Sequence, residues 1–372
     1  MIKIEDLRME FDGGVVALDN INMEIRDSEF IALLGPSGCG KSTTLNCIAG
    51  LLDATAGKII AKERDITNLQ PKDRNIGMVF QSYALYPHLR VIDNIAFPLK
   101  QKKVSKEERH EKAREMAKKL QIEHLLDRKP TQLSGGQQQR VAMCRAMVKE
   151  PEILLFDEPM SNLDARLKIE IREVIKKLQA ESKITSIIVT HDQEEAMAIA
   201  DRIAILDNGQ IQQFDTPFEL YQHPVNLFVA NFMGNPPMNF IQAKVAGSEN
   251  SLVFEVSGQT VMVPDSAATC LGDHIGKQVT IGVRSHQIRI SKAGTEDSLL
   301  TSVKMVENLG KELLVQGQIG NDFLRISVDE TEQYEWFKTL AAAGDNIGLA
   351  FTDNINIFDV ETGNNLMIHS VR

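Results

Sequence analysis

Residues 29–45, EFIALLGPSGCGKSTTL, join an apolar strand-like run to a helix through a glycine-rich turn. The turn fits the pattern G-x-x-x-x-G-K-[ST] at Gly35, Gly40, Lys41 and Ser42, in the strand–loop–helix context that a phosphate-binding loop requires. Glycine lets successive backbone N–H groups point at phosphate oxygens, and the helix start adds about half a positive charge. The stretch therefore predicts an α/β protein that binds a nucleotide, with a plain glycine turn as the much weaker alternative.

The side chains of this loop have distinct expected roles. Lys41 would reach the β- and γ-phosphates, and the Ser42 hydroxyl would ligate Mg²⁺. Cys39 is expected to contribute its backbone amide rather than thiol chemistry. The nucleotide-binding residues expected in the loop are Gly35, Pro36, Ser37, Gly38, Cys39, Gly40, Lys41, Ser42 and Thr43.

Two further apolar runs end in polar side chains that suit phosphate chemistry. ILLFDE ends in Asp157 and Glu158, and IIVTHD contains His191. Ligands gather beyond the carboxyl ends of strands in an open α/β sheet, so we expect all three runs to meet there. Asp157 could hold Mg²⁺ through water, and Glu158 could polarise an attacking water. His191 could sense the γ-phosphate, although a histidine at a strand end is more often structural.

Residues 133–137, LSGGQ, open a second helix with an unusual composition. Ser134 and Gln137 fit a capping box, which explains the helix start. The box does not explain Gly135 and Gly136, because each glycine costs about 1 kcal/mol in a helix relative to alanine. Glycine would let another molecule approach the positive helix start closely, which predicts a second phosphate receptor.

LSGGQ resembles the signature sequence of ATP-binding-cassette (ABC) proteins, and the resemblance extends over nearly the whole chain. In that family the signature faces the phosphate loop of a second subunit, with ATP between the two. The resemblance implies that Glu158 is the catalytic glutamate and His191 the switch histidine. It implies that Phe11 stacks on adenine, although Phe11 by itself would be taken as a core residue. The other implied contacts are Val16 to the nucleotide, Gln81 to the nucleotide and Mg²⁺, and Ser134, Gly135, Gly136, Gln137 and Asp164 to the nucleotide of the partner.

The segments MVFQSYALYPH, VTHDQEEAM and FMGNPPMNF resemble ATPases of carbohydrate importers of the maltose type. This resemblance implies a P-loop ABC cassette with a helical subdomain, followed by a small all-β domain, an OB-like or TOBE-type barrel. We expect the ATPase domain at residues 1–235, its helical subdomain at about 88–150, and a regulatory barrel at 236–372. The prolines of GNPPMNF and the short strand-like runs after them agree with this division, and TEQYEWFKTL is a helix candidate within the barrel.

Some positions depart from the family pattern. Gln138, Cys144 and Met160 replace the usual residues near the signature and the acidic strand end, and Ser285 and His286 do so in the barrel. None is expected to touch a phosphate. Because Ser285 and His286 depart from the pattern in the barrel, regulation and permease-specific contacts have the least support from the resemblance.

Composition limits the class of protein. The chain is 43% hydrophobic and 25% charged, as expected of an ordinary globular protein. Its net charge of −10 argues against bulk nucleic-acid binding, since phosphate backbones need a basic surface. Apolar runs fall short of the roughly 20 residues of a membrane span, and the charged N-terminus does not look like a signal peptide.

The resemblance implies an ATP-hydrolysing importer subunit that uses ATP and Mg²⁺. It would act as a homodimer on two integral membrane permease subunits at the cytoplasmic face of the membrane, supplied by an extracytoplasmic solute-binding protein, for a sugar or related solute. One alternative is a soluble ABC ATPase acting on DNA or ribosomes, which usually has two cassettes or a long coiled-coil insertion. Another is a metabolite kinase, which would need the P-loop but not LSGGQ. Export would use the same phosphate motifs, so the direction of transport rests on the resemblance alone.

Overall fold

The computed structural model describes residues 1–248, 251–329 and 344–368. The chain divides into two compact units, Met1–Pro217 and Phe218–Arg372. The break lies before the domain boundary expected after residue 235, because the segment that follows Pro217 packs with the second unit. The expected boundary itself stays a prediction.

The first unit contains a six-stranded, mainly parallel sheet. Its strand order is β10-β9-β3-β8-β7-β6, and only β10 runs antiparallel to its neighbour. Every residue of β3 and β8 is buried, which explains their uninterrupted apolar sequences, since a central parallel strand is covered on both faces. The strands are β3 (Phe30–Leu34), β6 (Ile76–Val79), β7 (Ile153–Asp157), β8 (Thr185–Val189), β9 (Arg202–Asp207) and β10 (Gln210–Asp215).

A second, antiparallel sheet in this unit was not part of the parallel pattern that the sequence predicts. It has the order β2-β1-β4-β5 and comprises β1 (Ile2–Phe11), β2 (Val15–Ile25), β4 (Ala56–Ala61) and β5 (Arg64–Asp65). Residues Ile2, Ile4 and Leu7 of β1 are buried and join the core cluster of the parallel sheet. The alternation along β1 is that of a strand with one face on the core and one toward solvent.

Six helices follow the strands of the first unit. They are α1 (Lys41–Ala49), α2 (Val91–Gln101), α3 (Lys106–Lys119), α4 (Gly135–Met147), α5 (Ala165–Ser182) and α6 (Gln193–Ile199). The helices α2, α3 and α4 pack on one another within the segment expected to form the helical subdomain. Ser105 caps the strongly charged helix α3 by accepting the Glu108 backbone N–H at 3.2 Å. None of the helices that the structure describes is long and apolar enough to cross a membrane.

The second unit consists mainly of two antiparallel five-stranded sheets around one apolar core. The sheet orders are β13-β12-β11-β14-β20 and β15-β19-β16-β17-β18. The α-helices described for this part of the chain, outside residues 249–250, 330–343 and 369–372, are α7 (Pro217–Gln222), α8 (Leu227–Phe232) and α9 (Asp265–Leu271). Its strands are β11 (Asn239–Ser248), β12 (Ser251–Val256), β13 (Gln259–Met262), β14 (Gln278–Val283), β15 (Ile288–Lys292), β16 (Leu299–Asn308), β17 (Glu312–Ile319), β18 (Asp322–Asp329), β19 (Asn346–Phe351) and β20 (Asn356–Asp359).

Most strands of this unit coincide with short runs visible in the sequence. The sequence missed β11 and β16, although both lie inside the sheets and each pairs with two other strands. Both strands do alternate between buried and exposed residues, but some buried positions hold small or polar side chains, Ala243 in β11 and Thr301 in β16, so the apolar face is weak in the sequence. The helix candidate TEQYEWFKTL lies outside the described residues.

Candidate functional site

The parallel sheet places the predicted catalytic residues along one edge. The strands β3, β8, β7 and β6 are neighbours and run parallel, so their carboxyl ends lie side by side. The residues that follow these ends include the glycine-rich loop, His191, Glu158 and Gln81. A cleft of about 480 Å³ opens there, and it is lined by Ser37, Gly38, Gly40, Lys41, Ser42, Thr43, Glu158 and His191.

Close backbone packing explains two glycines of the loop. A Cβ atom on Gly35 would lie 2.2 Å from the carbonyl oxygen of Leu206. Gly40 has φ +106°, and a Cβ atom there would lie 2.8 Å from the carbonyl oxygen of Ala17. Larger residues would therefore push the loop away from the strands beneath it and from the start of β2.

Lys41 is held over the loop in a defined position. The Lys41 side chain is buried, and its Nζ donates hydrogen bonds to the carbonyl oxygens of Gly35 and Pro36, each at 2.8 Å. The Cys39 thiol is 3.7 Å from the same nitrogen. Burial raises the pKa of Cys39 although the Lys41 ammonium opposes this, so the thiol remains protonated at neutral pH. This agrees with a structural role for the Cys39 side chain.

Asp157 and Ser42 face each other across the cleft. The Ser42 hydroxyl donates to Asp157 Oδ1 at 3.3 Å. Burial raises the pKa of Asp157, the Ser42 hydrogen bond opposes that rise, and the neighbouring Glu158 carboxylate adds to it. A bound cation would offset both the cost of burying the Asp157 carboxylate and its repulsion from the Glu158 carboxylate.

Oxygen ligands at this position fit Mg²⁺. The Ser42 hydroxyl and the Asp157 carboxylate can supply hard oxygen atoms here, which Mg²⁺ prefers, and the Gln81 amide, which contacts Glu158, can supply another. The described residues contain no group of three or more His, Cys, Asp or Glu side chains that could hold a metal. The few protein ligands suit an ion that also binds phosphate oxygens and water, as Mg²⁺ does in nucleotide sites.

Glu158 and His191 are brought together, as their positions after neighbouring strands predict. Glu158 Oε2 lies 3.5 Å from His191 Nδ1 and accepts a hydrogen bond from Gln81 Nε2 at 3.4 Å. Glu158 adopts φ +43°, and its backbone N–H donates to the carbonyl of Val189 at 3.0 Å. The left-handed backbone turns the chain sharply after Asp157, so the two adjacent carboxylates point in different directions.

The start of α4 has a packing explanation that the sequence did not reveal. The Ser134 backbone N–H donates to Gln137 Oε1 at 3.1 Å, which is one half of the expected capping box. A Cβ atom on Gly136 would lie 2.8 Å from Leu167 Cδ1, and one on Gly135 would lie 3.2 Å from Leu163 Cδ2. The chain's own leucines therefore leave little room for larger residues here, whether or not a ligand also approaches.

The remaining predicted nucleotide contacts occupy other surfaces. Asp164 caps α5 by accepting the Leu167 backbone N–H at 3.0 Å. Phe11 and Val16 lie at the two ends of the turn between β1 and β2 and are 40% and 39% exposed, so Phe11 is not a core residue. Asp164 and the residues of LSGGQ do not line the cleft around Lys41. Their predicted contacts with a nucleotide would have to be made to a different copy of the chain.

A network of side chains that the sequence did not predict lies next to His191. Lys168 Nζ lies 3.1 Å from Asp192 Oδ2 and 2.9 Å from Glu195 Oε1. The Thr190 hydroxyl donates to Glu195 Oε2 at 2.7 Å. The available signal was THDQEE, where an N-cap aspartate precedes two glutamates, but its partner Lys168 lies on another helix and could not be identified from spacing.

Each residue that departs from the family pattern is buried or has a partner in its own unit. Gln138 Nε2 donates to the carbonyls of Pro130 and Leu133 at 3.1 and 3.2 Å. Cys144 and Met160 are fully buried. In the second unit, Ser285 Oγ accepts a hydrogen bond from Ser327 Oγ at 3.0 Å, and the His286 ring stacks on Tyr221. The side chains at the three departures in the first unit do not line the cleft.

Two protein families match segments of this chain. The family described as "ABC transporter" matches residues 18–161, and the family described as "MalK OB fold domain" matches residues 234–288. The chain is 45% identical over 324 residues to the trehalose/maltose import ATP-binding protein MalK of Thermococcus litoralis, covering 83% of this chain and 86% of that protein. The chain belongs to the ABC transporter ATP-binding subunits. This membership confirms the predictions of the fold class and of an ABC-type ATPase.

Other members of the ABC transporter family extend the comparison. The chain is 44% identical over 324 residues to the sn-glycerol-3-phosphate import ATP-binding protein UgpC of Vibrio vulnificus, covering 87% of this chain and 84% of that protein. A solved dimeric structure of the ATP-binding cassette MJ0796, in a post-hydrolysis state bound to ADP and Pi, matches with a TM-score of 0.53 and 36% identity. That match covers 58% of this chain and 99% of the cassette.

Proposed function

We propose that this ABC ATPase is the energy-supplying subunit of an importer for a sugar or a related small polar solute. The observation that carries this proposal is the cleft at the carboxyl edge of the parallel sheet, where Lys41, Ser42, Glu158 and His191 come together. The solute class is suggested by the similar proteins, which are named for the import of trehalose and maltose or of sn-glycerol-3-phosphate.

The hydrolytic step follows from the positions of these side chains. Lys41 and the loop N–H groups would neutralise the β- and γ-phosphates of ATP, and phosphoryl transfer depends mainly on such positioning and charge neutralisation. Glu158 would orient and polarise the attacking water. His191 would contact the γ-phosphate and help to hold the attacking water, since its ring nitrogen already lies beside the Glu158 carboxylate. Phe11 and Val16 would contact the adenine, because both present exposed apolar surface.

The protein groups proposed for Mg²⁺ are Ser42, Asp157 and Gln81. When bound, the ion would neutralise phosphate charge. Ser42 and Asp157 are already within hydrogen-bond distance, so little rearrangement of these side chains would be needed. Gln81 also faces Glu158 and Ser161, which would connect the metal ligands with the residue that orients water.

A homodimer would complete each nucleotide site. Ser134, Gly135, Gly136, Gln137 and Asp164 lie away from the cleft of their own subunit, and we propose that they contact ATP bound to the partner. The exposed Ser134 hydroxyl at the start of α4 suits a γ-phosphate. ATP would then join the two subunits, and hydrolysis would release them.

The proposed membrane partners are two permease subunits, with the ATPase at the cytoplasmic face and a solute-binding protein on the opposite side. A groove of about 310 Å³ in the first unit would receive a short permease helix. Ala84 and Tyr86 of the segment MVFQSYALYPH line it, together with residues of β6, α2 and α4.

Glu158→Gln provides the test, because it should retain ATP while losing at least roughly 100-fold in hydrolysis rate. The tagged variant would be extracted from native membranes with MgATP, and the co-purifying proteins would be identified by mass spectrometry. Two polytopic membrane proteins are the expected result. A ribosome, DNA or no membrane partner would contradict the importer proposal while leaving the ATPase intact.

A second variant tests the shared nucleotide site. Ser134→Arg would place a bulky cation at the start of α4 and should abolish ATP turnover while each subunit still binds nucleotide. Ser182→Arg is the matched control, since it introduces the same cation at an exposed serine at the far end of α5. Full turnover by Ser134→Arg would show that the site is not shared between two subunits.

A further inference from the structure

The loop that carries His191 is attached to the first turn of α5 by one ammonium group. Lys168 Nζ contacts Asp192 and Glu195, at 3.1 and 2.9 Å. Thr190, which precedes His191, donates its hydroxyl proton to Glu195 and accepts the Asp192 backbone N–H at 3.0 Å. The residues on both sides of His191 are therefore connected to Lys168.

The burial of this network makes the ammonium important. Glu195 is only 5% exposed and Thr190 only 2%. Burial opposes the charge on Lys168, but Glu195 and Asp192 together raise its pKa, so the side chain is cationic at neutral pH. A buried carboxylate is costly unless it is paired, and Lys168 is the cation that pairs with Glu195 here.

The same helical turn also contacts the signature segment. Asp164 caps α5, and Leu167 occupies the space that a side chain at Gly136 would need. Leu167 and Lys168 are adjacent, so one turn of helix touches both the LSGGQ segment and the loop of His191. A displacement at the start of α5 would be transmitted to His191 through Lys168.

We infer that Lys168 is a positioning residue for ATP hydrolysis, which holds His191 at a fixed position relative to the start of α5. The inference rests on the proposed function of His191 in the same site. Lys168 would not touch the nucleotide. It would act through Asp192, Glu195 and Thr190, and so it would affect the rate of turnover more than the binding of ATP.

Four variants separate positioning from folding. Lys168→Met leaves Glu195 buried without its cation and should lower stability as well as activity. Lys168→Met combined with Glu195→Gln removes both charges, so it should fold normally but lack the attachment. Lys168→Arg keeps a cation and hydrogen-bond donors and should restore activity. Lys177→Met is the matched control, because Lys177 forms only an exposed pair with Glu181 at 3.9 Å on the same helix.

The kinetic readout is the steady-state rate of the full chain with MgATP. In the doubly substituted variant we expect kcat to fall about 10-fold or more, because small displacements of a positioned group are costly. KM for ATP should stay within about twofold, as expected when an interaction made in the transition state is lost. The Lys168→Arg and Lys177→Met rates should stay within about threefold of the wild type.

Hydrogen exchange supplies a readout that does not depend on activity. Backbone amides of residues 190–199 should exchange faster in the doubly substituted variant, with thermal stability unchanged. Wild-type kcat together with unchanged exchange would overturn the inference, as would equal losses in the Lys168→Arg variant. A wild-type chain that hydrolyses no ATP would instead refute the proposed function, and the exchange at 190–199 would still decide whether Lys168 holds the loop.

Discussion

Replacing Arg284 by methionine should strongly destabilise the second unit. Arg284 is 1% exposed, and its guanidinium donates to the carbonyls of Tyr221 at 2.8 Å, Ala230 at 3.2 Å and Met233. These carbonyls lie at or near the ends of α7 and α8, where intrahelical partners are missing. Burial lowers the pKa of Arg284 to about 10, so the side chain is still charged at pH 7.

The magnitude follows from the three carbonyls that would lose their donor. A buried group left without its hydrogen bond costs about 1–3 kcal/mol. Methionine fills much of the volume and removes the cost of burying a cation, which offsets part of that loss. We therefore expect a net loss of about 3 kcal/mol in the free energy of unfolding. The stability of Arg284→Lys should lie between that of the wild type and that of Arg284→Met, since one ammonium group cannot reproduce the planar array of donors.

Calorimetry of the full chain is the assay, with hydrogen exchange at β14 and α8 identifying the transition of the second unit. For a unit of this size, about 3 kcal/mol corresponds to a fall in Tm of about 6–12 °C. Arg289→Met is the matched control, because Arg289 is exposed and should change stability by no more than about 0.5 kcal/mol. An Arg284→Met variant within about 1 kcal/mol of the wild type would refute the reasoning.

Two further predictions concern the first unit. Gly136→Ala should lower stability by up to about 2 kcal/mol, because crowding against Leu167 costs about 1–3 kcal/mol and the better helix propensity returns about 1 kcal/mol. Denaturant unfolding of the Gly136→Ala/Leu167→Ala pair should show the crowding relieved, and additive losses would contradict the contact. Because burial raises the pKa of Asp157, folding disfavours its ionised form, and the stability that this group contributes is lost as pH rises from its ordinary pKa through the raised one. At pH 7 Asp157→Asn should therefore raise Tm without nucleotide and gain less from MgATP than the wild type does, and a lower Tm in the variant would contradict this.

Local patterns predicted much of the candidate site. Gly35, Gly40, Lys41 and Ser42 could be recognised because a phosphate-binding loop needs these residues at fixed spacing along one strand–loop–helix unit. Glu158 could be proposed because it ends a buried apolar run. The sequence explained only part of the role of Gly136, because its neighbour Leu167 lies 31 positions further along the chain, in another helix.

In the second unit too, local patterns predicted some strands and not others. Short alternating runs predicted β12, β14 and β18, since each has a regular apolar face. The long strands β11 and β16 were not predicted because some of their buried positions hold small or polar residues, Ala243 and Thr301, and their pairing with neighbours defines them. The burial of Arg284 against two helix ends could not be foreseen from the sequence.

The sequence by itself determined the class of chemistry and the family of this protein. Both depend on short segments whose backbone geometry and charge act locally. Tertiary structure alone decided that Ser42 and Asp157, 115 positions apart, lie within hydrogen-bond distance. It also decided that Lys168 pairs with Glu195 behind His191. Such contacts depend on which strands and helices become neighbours, and the order of strands in a sheet is set by the packing of the whole core rather than by any single segment.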